Sequence, residues 1–103
     1  MRTTKKSNKI LSLPKTLEEA IDYYIPRFIG MEHYFDEMNE DVFASFCHSQ
    51  ISGGIGMKIR NEMGFWAKNT DIYDHMRNVH NLKHPDEMSN LIIKGVYKKM
   101  KNI

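Results

Sequence analysis

The chain has 103 residues, 41% of them hydrophobic and 27% charged. That suffices for one modest core and argues against wholesale disorder. No apolar run approaches the roughly 20 residues of a membrane span, no signal-peptide pattern opens the chain, and a lone Cys47 excludes an intrachain disulfide. A cytoplasmic, reducing setting is the expectation. The net charge of +2 is segregated, with +5 over residues 1–15, −7 over 16–41 and +4 over 42–103.

Residues 1–12 lack periodicity and read as a flexible basic arm; residues 13–103 read as a single helical domain. Thr16 with Glu19 fits a capping box, and Leu17, Ala20, Ile21, Tyr24, Ile25 and Phe28 follow helical spacing. Pro26 predicts an end or kink near Tyr24–Ile25, with Gly30 as terminator of any continuation. The stretch from Met31 to Met38 is ambiguous between a short helical turn and a connection. Asn39 is a candidate N-cap, with Glu40 and Asp41 in the first turn behind it.

Phe43, Cys47, Ile51, Ile55, Ile59 and Met63 then recur every four residues, with Gly53, Gly54 and Gly56 among them. The conserved phase favours one long, kinked helix over a break near Ser52–Gly54. Gly64 ends it, and Phe65 and Trp66 are expected to anchor the next turn inside the core. Asn69 or Thr70 caps a third helix whose apolar side is Ile72, Met76 and Val79. Pro85 suits a first helical position. Met88, Leu91, Ile92, Val96, Tyr97 and Met100 make the last amphipathic stripe. The expected fold is an all-α, compact bundle of about four helices.

Reactive chemistry is hard to assemble from this pattern. The segment from Ser52 to Arg60 has glycines and two bases suited to an anion, yet it lacks the Lys-Ser/Thr ending of a P-loop and any preceding strand. Close helix packing explains its glycines better. Asp71, His75, His80, His84 and Asp86 cluster in sequence, but without HExxH or paired cysteines. His84 reads as a residue bonding backbone at a helix start, with His75 and His80 as surface groups. Cys47 lies on the apolar stripe, where a thiol is usually packing. No metal ligand set, cofactor or catalytic triad is expected. Arg60, beside Ile59 and Met63, is placed to clamp a carboxylate such as Asp86 across the fold.

Gly56-Met57-Lys58-Ile59-Arg60-Asn61, Gly64-Phe65-Trp66 with Asn69, and His84-Pro85-Asp86-Glu87-Met88-Ser89 with Ile92-Ile93 resemble, in order, the motifs of a small uncharacterised helical family. Pro14-Lys15-Thr16-Leu17-Glu18-Glu19-Ala20 is similar to its opening, and the likeness spans about residues 13–100. Lys58 stands where the family tends to an aromatic or apolar residue, and Glu87-Met88 replaces Asp-Ala. The resemblance implies a mostly helical domain and no agreed activity, with Arg60, Asn61, Trp66, His84 and Asp86 as its motif residues.

The favoured function is non-catalytic: a small protein that binds and modulates a macromolecular protein partner, compatible with a phage or mobile-element accessory or inhibitor protein. Frequent Met, Asn, Lys and Ile fit an AT-rich genome. Tyr23, Tyr34, Phe35 and Met38 are the expected exposed contacts. A second reading is nucleic-acid binding through Lys5, Lys6, Lys9, Lys94, Lys98, Lys99 and Lys101. A third is a metal-dependent hydrolase or nuclease using His80, His84 and Asp86. Eight methionines and several aromatics also suit a homodimer seam.

Overall fold

The computed structural model describes residues 13–48 and 54–102. Among them are six helices, where the sequence predicts about four: α1 Leu17–Phe28, α2 His33–Glu37, α3 Glu40–His48, α4 Ile55–Glu62, α5 Asp71–Asn78 and α6 Pro85–Lys101. No strand occurs among the described residues. None of these helices is long and apolar enough to cross a membrane. The basic arm, with Lys5, Lys6 and Lys9, lies outside the described residues, as does Ile51.

Local chemistry starts most of the helices. Thr16 Oγ1 accepts from the Glu19 amide at 3.2 Å, and Glu19 reaches back to the Lys15 amide at 2.8 Å. Asn39 Oδ1 accepts from Val42, and Thr70 Oγ1 accepts from Tyr73 while donating to the Met63 carbonyl at 2.7 Å. That last bond ties the start of α5 to the end of α4. Pro26 does not end α1, which runs to Phe28. Proline there removes one amide bond with less than a turn to follow, and Phe28, buried against Phe43 at 5.9 Å, holds the turn in place. Burying such a ring is worth about 2–3 kcal/mol.

The long helix expected from Phe43 to Met63 is two helices. α3 is described as far as His48, and Gly54, immediately before α4, has φ of +70°, a left-handed conformation that no continuous helix from Phe43 to Met63 could contain. The apolar face survives the division, because Phe43, Cys47, Ile59 and Met63 are all buried.

α6 is the central element, packed on α1, α3 and α4. Met88, Ile92, Ile93, Val96 and Tyr97 give it a buried face wider than the predicted stripe, which omits Ile93. Gly95 permits the close crossing with α1, since a Cβ there would stand 2.2 Å from Ile21 Cδ1. Tyr97 Oη shares its one proton between the Phe35 and Met38 carbonyls, pinning α2 to α6.

Two aromatic assignments are corrected. Phe65 is fully buried, whereas Trp66 is 53% exposed. Neighbours in a turn diverge, so only one of the two reaches the core. Phe35 is only 4% exposed, ringed by Phe43 and Tyr97 at 5.2 and 5.1 Å. It belongs to the core and offers no contact surface. Val79, expected on the apolar side of α5, is exposed.

Candidate functional site

Three residues from two motif segments meet a fourth residue that sequence reasoning missed. Arg60 comes from α4, Asp86 and Ser89 from the first turns of α6, and His48 from the end of α3. Arg60 Nη1 stands 3.3 Å from Asp86 Oδ1 and donates to Ser89 Oγ at 3.1 Å. The predicted Arg60–Asp86 clamp is therefore present. His48 Nδ1 stands 2.8 Å from the Ala44 carbonyl, which can only accept, so this nitrogen carries a proton. The other nitrogen, Nε2, lies 3.1 Å from Ser89 Oγ. Ser89 Oγ is also 3.1 Å from the Asp86 carbonyl. Its single proton serves either the Asp86 carbonyl or His48 Nε2, while Arg60 fills a lone pair.

Gly56 makes this meeting sterically possible. A Cβ at that position would lie 2.7 Å from His48 Cδ2 and 3.1 Å from Arg60 Nη1. The glycine expected to pack against a neighbouring helix thus passes two polar side chains. Arg60 Nε is buried without a hydrogen-bond partner among the described residues.

His48 and Ser89 have the outline of a base and a hydroxyl nucleophile. Ser89, however, is completely buried. No electrophile can reach its oxygen without opening the helix interface, so the network acts as a joint between α3, α4 and α6.

What faces solvent is the rim. A shallow cleft of about 460 Å³ is lined by Ser45, His48, Asp86, Glu87 and Asn90. Beside it, His84 closes the start of α6 as predicted: its Nδ1 accepts from the Asp86 amide at 3.0 Å, and Glu87 Oε1 accepts from the His84 amide at 3.4 Å. Because Nδ1 is accepting, its 3.7 Å approach to Asp86 Oδ2 is not an ion pair in this state. Trp66 packs edge-on against the His84 ring at 5.7 Å. A continuous rim therefore runs from the exposed indole through His84 to Asp86 and Glu87. Asn61 does not join it; its side chain is exposed and its carbonyl accepts from the turn after α4.

The remaining predicted contacts are scattered. Tyr23 is exposed on α1, edge-on to Tyr24 and under Arg27. Tyr34 is half-buried between His33 and Phe46, and Met38 is half-buried with its carbonyl held by Tyr97. The C-terminal lysines are paired internally: Lys94 with Asp41 at 2.7 Å, Lys98 with Glu40 at 3.4 Å and Lys99 with Asp22. Lys101 donates to the Phe35 carbonyl and Tyr97 Oη. The acidic first third and the basic last helix, separated in sequence, thereby neutralise each other in space. His84 and Asp86 stand together, but His80 pairs with His75 instead, so the three residues of the hydrolase reading do not converge.

His48 carried almost no sequence signal, since it sits one residue past the stripe position Cys47 and in no motif. Ser89 was inside a motif, but its burial depends on the α3–α6 contact.

No curated protein and no solved structure matches this chain. Residues 13–100 match the profile of a domain of unknown function, DUF6794, and the chain belongs to that family.

Proposed function

We propose that the domain is a non-catalytic recognition module whose protein partner docks on the rim formed by Trp66, His84, Asp86 and Glu87. The observation that carries this reading is the exposed Trp66 indole, 53% accessible, adjoining a carboxylate-lined cleft. Large aromatics left on a surface are disproportionately the anchors of protein interfaces. Asp86 and Glu87 give the rim an acidic end, which suits a lysine or arginine on the partner, and the indole face suits the same cations. The Arg60–Ser89–His48 joint, closed around the buried Ser89, supports the rim.

The experiment compares full-length protein with Trp66→Ala in capture from the native host followed by mass spectrometry. Trp66 is surface-exposed, so its removal spares the core. The expected result is a specific protein, retained through a basic segment, that Trp66→Ala loses about tenfold or more. Equal capture by both proteins, or capture dominated by nucleic acid, overturns the reading.

The nucleic-acid reading is less favoured because Lys94, Lys98 and Lys99 are already matched to acids. It predicts affinity falling steeply with salt.

A further inference from the structure

Away from the Trp66 rim, two imidazoles face each other where α5 ends. His75, in the last turn of α5, and His80, just past it, bring their Nε2 atoms to 3.2 Å, with ring centroids 5.0 Å apart and planes inclined by 67°. They border a pocket of about 340 Å³ together with Thr16, Leu17, Glu18 and Val79. Sequence spacing concealed the pair, because residues five apart do not share a helix face. They meet only because the chain turns after Asn78.

We propose that His75 and His80 form a two-histidine site for a late first-row divalent transition-metal ion such as Zn²⁺, Cu²⁺ or Ni²⁺. Metal–imidazole bonds are about 2.0–2.1 Å long. Two such bonds whose nitrogens lie 3.2 Å apart enclose an angle of about 100° at the ion, between the square and tetrahedral values. Imidazole nitrogen selects these ions over Ca²⁺ and Mg²⁺, which prefer oxygen. Both residues are half-buried and line the pocket. Glu18 lines the same pocket from the first turn of α1, but no group of three or more His, Cys, Asp or Glu side chains suited to a metal occurs among the described residues. The bound ion therefore keeps open positions for water or for a donor from another molecule.

The test titrates full-length, chelator-treated protein with Zn²⁺ by calorimetry at neutral pH, and with Cu²⁺ by electron paramagnetic resonance. The expected result is one ion per chain and nitrogen hyperfine structure from two imidazoles. His75→Gln and His80→Gln should each weaken binding about tenfold or more, while His33→Gln on α2 leaves it unchanged. Both substituted side chains are only half-buried, and circular dichroism verifies that each variant folds. Absence of saturable binding, or binding that neither substitution weakens, overturns the proposal.

Discussion

Arg60 and Asp86 stand 3.3 Å apart across the contact of α4 with the first turn of α6, the arginine 13% and the aspartate 58% exposed in their side chains. The two ends of this pair are therefore unequal. Arg60 also donates to the buried Ser89, whereas Asp86 lies in solvent. We expect Arg60→Ala to cost about 2–3 kcal/mol and Asp86→Asn about 1 kcal/mol or less. A double-mutant cycle by urea denaturation should give a coupling near 1 kcal/mol. Zero coupling removes the clamp.

Gly56→Ala raises intrinsic helix propensity by roughly 1 kcal/mol. It also drives a methyl to within 2.7 Å of His48. We expect the clash to win, with a net loss of about 1–2 kcal/mol. The same substitution combined with His48→Ala should recover part of it, measured as the shift in denaturation midpoint.

Tyr97→Phe deletes the hydroxyl that serves both the Phe35 and Met38 carbonyls. The cost should be about 1–3 kcal/mol, because the half-buried Met38 carbonyl loses its donor while the Phe35 carbonyl keeps Lys101. A loss below about 0.5 kcal/mol by the same denaturation assay would mean water replaces the hydroxyl freely.

Glu62 accepts from Tyr24 at 2.7 Å and from Arg27 at 2.7 and 2.8 Å, at the edge of a groove of about 510 Å³ between α1 and α4. Burial pushes this carboxyl up, but the bonds from Arg27 and Tyr24 together outweigh it and leave it below its ordinary value of 4.5. A carboxyl depressed in the folded state adds stability above its unfolded value, and that increment disappears as pH falls through the folded value. The Tm advantage of the wild type over Glu62→Gln should be flat above about pH 6 and vanish in stronger acid. An advantage that grows on acidification contradicts the assignment.

Burial raises the Cys47 thiol to about 12. Thiolate is then nearly absent at neutral pH, and the folded protein should resist alkylation. Iodoacetamide labelling at pH 8 should be at least about 100-fold slower in the native state than in denaturant. Rapid native labelling would show that the core opens locally at α3.

Where most helices begin, and which stripe of each is apolar, can be read from the residues alone. Thr16, Asn39, Thr70 and His84-Pro85 act within one turn of chain, and side-chain periodicity is a local property. His84 was legible as a backbone-bonding cap, and Arg60–Asp86 was legible as a pair, because their roles follow from residue type beside a helix start or an apolar face. The packing of the helices settles that the stripe from Phe43 to Met63 belongs to two helices, that Phe65 and not Trp66 turns inward, and that Phe35 lies against Tyr97. Those outcomes depend on which faces meet. The same holds for His48 joining Arg60 and Ser89 and for His75 meeting His80, since such proximity arises from the path between helices, and residue spacing does not encode that path.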